Sequence, residues 1–102
     1  MLHKVAGRSD IGENEILGVE VEGQRLALYS SMGKLFATDD ECPHAGCLLS
    51  EEGVIEDTEV ECGCHGSRFV IATGANAAPP ARDPLAVYRV EIDGDDVLVD
   101  IE

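Results

Sequence analysis

Short hydrophobic runs separated by turn-forming residues dominate this chain. Val, Ile and Leu fill most of the runs, and Gly, Asp, Asn or Ser occupies the gaps, which is typical of β-strands joined by tight turns. The pattern predicts strands at residues 2–5, 15–21, 24–29, 34–38, 53–56, 59–62, 68–71, 85–92 and 97–101. We find no convincing amphipathic helix. We therefore predict an all-β chain, folded as a small antiparallel β sandwich or barrel-like structure.

The segments between the predicted strands read as turns and loops. Residues 7–13 are polar, and residues 75–81 contain Pro79 and Pro80 and few strand-forming side chains. We expect the second segment to be an ordered loop or crossover of limited flexibility, because proline fixes one backbone dihedral. The chain shows no internal repeats and no low-complexity tract.

The chain length of 102 residues predicts one domain, covering residues 1–102, with a modest hydrophobic core. Seven basic and twenty-one acidic residues give a formal net charge of −14. Such a field disfavours binding to nucleic acid or to an anionic membrane. It favours association with proteins that present basic docking surfaces, although solubility alone would also explain it.

The first residues, 1–14, contain no apolar run long enough for a signal peptide or a membrane anchor, so we expect a cytoplasmic protein. A cytosol keeps most cysteines reduced. Clustered cysteines and histidines in such a chain indicate a metal site before they indicate disulfides.

All four cysteines and two of the three histidines occur in two short motifs. The first reads Cys42-Pro43-His44-Ala45-Gly46-Cys47, and the second reads Cys62-Gly63-Cys64-His65-Gly66-Ser67. A pairing of two cysteines with two histidines fits tetrahedral zinc as well as iron. Zinc fingers, however, place like ligands together, whereas here each motif offers one cysteine and one histidine. This alternation favours an asymmetric binuclear centre, with cysteines on one metal and histidines on the other. His3 stands alone, and we do not assign it as a ligand.

Both motifs resemble the two cluster-binding boxes of Rieske iron-sulfur proteins. Thr73-Gly74 and the stretch from Pro79 to Leu85 are also similar to the family, whose proline-bearing third loop covers the cluster. The resemblance implies a Rieske fold with two cluster-binding loops in about residues 40–70. It also implies one 2Fe-2S cluster per chain. Cys42 and Cys62 would bind the buried iron, and His44 and His65 would bind the outer iron.

Further residues gain expected roles from the same resemblance. In the Rieske proteins of cytochrome bc complexes and arsenite oxidases, cysteines that match Cys47 and Cys64 form a disulfide, whereas typical dioxygenase ferredoxins lack this pair. The resemblance therefore favours a bridge between Cys47 and Cys64 over two buried thiols, although a reducing cytosol argues against it. Ser67 matches a serine that donates a hydrogen bond to a cluster sulfur. Phe69 replaces a tyrosine whose hydroxyl does the same in high-potential relatives. This mixture predicts an intermediate reduction potential.

The leading hypothesis is a Rieske ferredoxin, an electron carrier rather than an enzyme, which passes one electron from a reductase to a terminal oxygenase or another oxidoreductase. One alternative is the Rieske small subunit of a larger oxidoreductase, similar to those of arsenite oxidase or nitrite reductase. A remote alternative is a structural zinc module without redox function.

Overall fold

The computed structural model describes residues 1–42, 46–64, 66–78 and 83–101, and most regular elements within them are β-strands. The strands are β1 (Leu2–Gly7), β2 (Ile16–Val21), β3 (Gln24–Ser31), β4 (Lys34–Asp39), β5 (Gly53–Glu56), β6 (Glu59–Cys62), β7 (Arg68–Val70), β8 (Asn76–Ala78), β9 (Val87–Tyr88), β10 (Val90–Asp93) and β11 (Asp96–Asp100). The described residues also form a short helix, α1 (Leu49–Glu52), and a 3-10 helix (Arg8–Asp10). The all-β prediction is confirmed.

The strands pair in antiparallel fashion to form three small sheets. The first sheet has the strand order β1-β11-β10, the second has the order β2-β3-β4-β9, and the third has the order β5-β6-β7-β8. Consecutive strands are mostly joined as hairpins, as the turn signals in the sequence predicted.

Strand β3 belongs to two hydrophobic cores, because alternate residues of a strand point to opposite faces of its sheet. Leu26 and Leu28 pack with residues of β11, whereas Ala27 and Tyr29 pack with residues of β6 and β7. All four side chains are almost completely buried. The second sheet therefore separates the core it shares with the first sheet from the core it shares with the third.

The core between the second and third sheets contains the two cysteines that the sequence assigns to a buried metal. Its buried members are Ala27, Tyr29, Cys42, Leu49, Val60, Cys62, Phe69, Ile71 and Leu85. The phenol of Tyr29 is hydrogen-bonded to Oγ1 of Thr38 at 2.7 Å, and burial raises its pKa well above the ordinary value. The phenol hydroxyl in this core thus has a hydrogen-bond partner, as buried polar groups usually do.

Three details differ from the sequence-based prediction. The segment 85–92 is not one strand but two, because β9 pairs with β4 in the second sheet whereas β10 pairs with β11 in the first. Part of the predicted loop 75–81 forms β8, which pairs with β7, while residues 79–82 lie outside the described part of the chain. Helix α1 was not predicted.

No helix in the described ranges is long and apolar enough to cross a membrane.

Candidate metal centre

The first cysteine motif forms a loop that is closed by two facing residues, Glu41 and Leu48, which pair as an isolated antiparallel bridge. Inside this closure, the backbone N–H of Cys42 donates a hydrogen bond to the carbonyl of Cys47 at 2.8 Å. The N–H of Gly46 donates to the carbonyl of Cys42 at 2.9 Å. Both backbone groups of Cys42 are therefore fixed within its own loop.

The second cysteine motif repeats this geometry between β6 and β7. Glu61 and Arg68 face each other as a pair of the hairpin. The N–H of Cys62 donates to the carbonyl of Ser67 at 2.8 Å, and the N–H of Gly66 donates to the carbonyl of Cys62 at 2.9 Å. The two loops are structurally equivalent, with Cys42 matching Cys62.

Each loop depends on a glycine in the left-handed backbone region. Gly46 has φ of 72° and Gly66 has φ of 80°. Residues with a Cβ atom adopt this region only at a steric cost. The glycine allows the chain to turn back after the cysteine, so that the loop closes on itself.

The equivalent cysteines, Cys42 and Cys62, are each only 1% exposed and pack in the same core. The other two cysteines form a disulfide in the structure, Cys47 to Cys64, with their Cα atoms 6.7 Å apart. This bridge links the end of the first loop to the middle of the second.

The sulfur atoms of Cys47, Cys62 and Cys64 lie within 4.8 Å of one another. Because the thiolate is the metal ligand and a disulfide offers none, Cys62 is the member of this group that suits iron. Cys42, at the equivalent position of a loop tied to the second by the bridge, supplies the matching thiol. Two buried thiols on two linked loops fit the cysteine half of a Rieske-type ligand set.

The predicted histidine ligands, His44 and His65, lie outside the described residues. Their assignment thus remains a prediction. The third histidine, His3, belongs to β1 and pairs with Val99, and its Nδ1 atom lies 3.9 Å from Oε1 of Glu22. The structure therefore places His3 in the first sheet, whereas both cysteine loops flank strands of the second and third sheets.

Two residues with expected tuning roles are completely buried beside the second loop. Ser67 and Phe69 both have 0% exposure, and the Phe69 ring packs in the core that holds Cys62. The phenylalanine ring carries no hydrogen-bond donor. Phe69 therefore supplies no hydroxyl that could donate a hydrogen bond to a cluster sulfur.

A carboxylate stands next to each loop. A side-chain carbon added at Gly46 would lie 4.0 Å from Oε2 of Glu41, and one added at Gly66 would lie 3.7 Å from Oε2 of Glu61. Both acids directly precede a ligand-type cysteine. The equivalence of the loops thus extends to their charges.

Arg68 introduces a positive charge on the third sheet. Its guanidinium lies 3.2 Å from Oε2 of Glu56 and 3.0 Å from Oε1 of Glu59. The hydrogen bond that Arg68 donates to Glu56 raises the pKa of Arg68. The charges of Glu56 and Glu59 are partly neutralised by these contacts.

A sequence signal for the equivalence of the loops was present but missed. The pattern Glu-Cys-x-x-x-Gly occurs at residues 41–46 and again at residues 61–66. Six residues are enough to define one loop but too few to form a structural repeat, so this short motif does not make the chain a repeat protein.

Comparison with known proteins agrees with this geometry. The family model of the Rieske [2Fe-2S] domain matches residues 1–89. The ferredoxin component of the p-cumate 2,3-dioxygenase system of Pseudomonas putida is 43% identical over 93 residues, which cover 90% of this chain and 79% of the relative. The ferredoxin component of biphenyl 2,3-dioxygenase of Rhodococcus jostii (strain RHA1) is 41% identical over 101 residues, which cover 99% of this chain and 94% of the relative.

A solved structure extends the comparison to a protein complex. It is described as a complex of reduced oxygenase and oxidized ferredoxin in carbazole 1,9a-dioxygenase. One of its chains is 35% identical to this one with a TM-score of 0.88, and the match covers 96% of this chain and 91% of that chain. The chain has two equivalent cysteine loops on an antiparallel scaffold, and its relatives are the proteins named above. It therefore belongs to the Rieske [2Fe-2S] domain family.

Proposed function

We propose that this protein is a Rieske ferredoxin, which carries one electron from a reductase to the terminal oxygenase of a multicomponent dioxygenase system. The observation that supports this most strongly is the pair of equivalent loops, each with a buried cysteine, in a chain whose relatives are ferredoxin components. The protein itself would catalyse no conversion of an organic substrate.

The proposed ligands are Cys42 and Cys62 for one iron, and His44 and His65 for the other. When bound, a Rieske cluster supplies a reversible one-electron couple whose potential lies between about −150 and +300 mV. The proposed cluster-binding part covers about residues 40–70 of a single domain, 1–102.

The described residues would contribute rigidity and exclusion of water. The loop hydrogen bonds fix the backbone of both cysteines, and the core around them keeps their sulfur atoms away from solvent. A rigid ligand shell reduces the rearrangement that accompanies a change of charge at a metal site. Such a shell suits an electron carrier.

The proposed partners are a reductase and a terminal oxygenase with basic docking surfaces. Four acids surround the loops, Glu41 and Glu61 beside the glycines and Glu51 and Glu52 on α1. Three of these residues are exposed and Glu61 is half-buried. Complementary charge raises the association rate of proteins. We place the proposed reaction in the cytoplasm.

The alternatives are less well supported. A permanent small subunit of a larger oxidoreductase would retain the cluster, but the relatives named above are ferredoxin components. A structural zinc module would have no need of the asymmetric Cys and His pairing. Gel filtration of the isolated protein distinguishes a shuttling monomer from an obligate subunit.

The ligand assignment predicts a defined metal content. The purified protein should contain two irons and two labile sulfides per chain, and Cys42→Ser or Cys62→Ser should abolish the visible absorbance of the cluster. His3→Ala should leave the visible and EPR spectra unchanged. Stoichiometric zinc in a colourless protein, or a spectral change in the His3 variant, would contradict the assignment.

The mixture of tuning residues predicts an intermediate midpoint potential in protein-film voltammetry, well inside the range of about −150 to +300 mV. Replacing a neutral imidazole by a thiolate makes the site more negative, so His65→Cys should lower the potential or destabilise the cluster. Phe69→Tyr should raise it if the added hydroxyl reaches a cluster sulfur. A wild-type potential at either end of the range would refute the prediction.

The docking proposal predicts a charge-dependent rate. The double variant Glu41→Gln/Glu61→Gln should reduce the terminal oxygenase of the biphenyl 2,3-dioxygenase system about three- to tenfold more slowly at low ionic strength, because favourable steering is lost. Stopped-flow absorbance measures the rate, and added salt should remove the difference.

The matched control for this experiment is Asp93→Asn/Asp95→Asn, which removes the same charge from the exposed end of the β10–β11 hairpin. This variant should retain the wild-type rate within a factor of about two, since its charges lie in the first sheet. Equal slowing by both double variants would show that net charge, rather than charge at the loops, controls the reaction.

A further inference from the structure

Helix α1 is too short to be stable by itself, because a four-residue helix cannot repay the cost of helix nucleation. Contacts with Asp40 hold its first turn. The N–H of Leu49 donates to the Asp40 carbonyl at 2.7 Å, and the N–H of Ser50 donates to Oδ1 of Asp40 at 2.7 Å. The Ser50 hydroxyl donates to Oδ2 at 2.7 Å. The start of α1 is thus anchored to the residue two positions before Cys42.

The Asp40 side chain is 0% exposed and has a charged partner. Arg25 of β3 reaches its Oδ2 atom with Nη2 at 3.0 Å and Nε at 3.3 Å. Strand β2 covers this network closely, since a side-chain carbon at Gly18 would lie 2.6 Å from Oγ of Ser50. A buried carboxylate that accepts four hydrogen bonds fixes the positions of the residues that donate them, Arg25 and Ser50.

The other end of α1 is attached to the second loop. The N–H of Gly63, the residue between Cys62 and Cys64, donates to the carbonyl of Glu52 at 2.7 Å. The carbonyl of Glu52 also occupies the space that a side-chain carbon at Gly63 would need. The second loop can therefore approach α1 this closely only with a glycine at this position.

We propose that α1 is a second tie between the two cysteine loops, which acts in parallel with the Cys47–Cys64 disulfide and keeps the loops together when that bridge is reduced. Asp40 is the positioning residue of this tie. The inference rests on the proposed function, because the loops need a fixed relation only if they share a cluster.

The two ties differ in the conditions that break them. A disulfide in a reducing compartment can be converted to two thiols, whereas the hydrogen bonds of α1 with Asp40 and Gly63 do not react with thiol reductants. The connection from Asp40 through α1 to Gly63 consists of backbone groups and the buried Asp40 carboxylate, and it includes no sulfur atom. Reduction of the bridge therefore leaves this connection intact.

The test measures the half-life of the visible cluster absorbance in the holoprotein, with and without a phosphine reductant. The phosphine cleaves the bridge to two thiols and becomes the phosphine oxide with an oxygen atom from water. Wild-type protein should lose its cluster less than about threefold faster after reduction. Reduced Asp40→Asn should lose it at least about tenfold faster than reduced wild type, because hydrogen bonds to charged groups are the strong ones.

Asp100→Asn is the matched control, since Asp100 also pairs with an arginine, Arg89, and with the N-terminus, but lies in the first sheet. It should behave as wild type in both conditions. The inference is overturned if bridge reduction alone makes wild type lose its cluster at least about tenfold faster than wild type with the bridge intact, or if reduced Asp40→Asn loses its cluster no faster than reduced wild type. The midpoint potential of Asp40→Asn with its bridge intact should also shift. A purely global loss of stability would not require such a shift.

A milder variant covers the case in which Asp40→Asn fails to fold. Ser50→Ala removes one donor to Asp40 while it favours the helix, so it should show the same pattern with a smaller effect. An unchanged cluster half-life in reduced Ser50→Ala would count against the inference.

Amide hydrogen exchange provides a readout that does not depend on the cluster. In the purified chain, the amides of Leu49, Ser50 and Gly63 should stay protected within about threefold after bridge reduction, and lose at least tenfold protection in reduced Asp40→Asn. If no cluster forms in any sample, the proposed function fails but this measurement still tests the tie. Rapid exchange of Gly63 in reduced wild type would refute it.

Discussion

The structure depends on the burial of two cysteine thiols within loops. A loop usually lies at the surface, because its backbone polar groups need water unless other partners are available. Here Cys42 and Cys62 are buried, and each obtains its backbone partners from its own loop, through one bond to a residue five positions later and one from a glycine four positions later. Both loops therefore satisfy the backbone polar groups of a buried cysteine with equivalent hydrogen bonds.

The arrangement of the sheets follows from this requirement. Strand β3 is buried on both faces, so the core that contains the cysteines is separate from the core under the first sheet. The loops receive support from the second sheet through Arg25 and Asp40, and from the third sheet through the hairpin of β6 and β7. The first sheet completes the second hydrophobic core of β3, and the described members of that core include no residue of either cysteine loop.

Much of this was predictable from the sequence, and the exceptions have physical reasons. Strands joined by turns, such as β2 with β3 and β5 with β6, were predicted because their signals are local. Strand β8 was missed because its residues have low strand propensity and acquire order through pairing with β7. Helix α1 was missed because its order comes from Asp40, nine residues before its first residue, rather than from a helical pattern.

At the candidate site, the chemical identity of the residues was predictable from the sequence, whereas their arrangement was not. The identity of the cysteines indicated a metal, and the spacing of Cys and His favoured iron over zinc. The contacts that fix the loops could not be predicted, because they join Asp40 to Ser50 and Gly63 to Glu52 across turns whose course depends on tertiary packing. The carboxylates beside Gly46 and Gly66 are likewise a consequence of loop closure.

The Cys47–Cys64 bridge has a thermodynamic role that is separate from its role in placing the loops. A crosslink between residues 17 positions apart restricts the unfolded chain and stabilises the fold by about 3 kcal/mol in the chain-entropy model. For a small domain this is a substantial part of a total of about 5–15 kcal/mol. Reduction of the bridge would therefore lower the global stability even while α1 keeps the loops in place. Cluster retention and thermal stability are then distinct properties, since the first depends on local ties and the second on the whole chain.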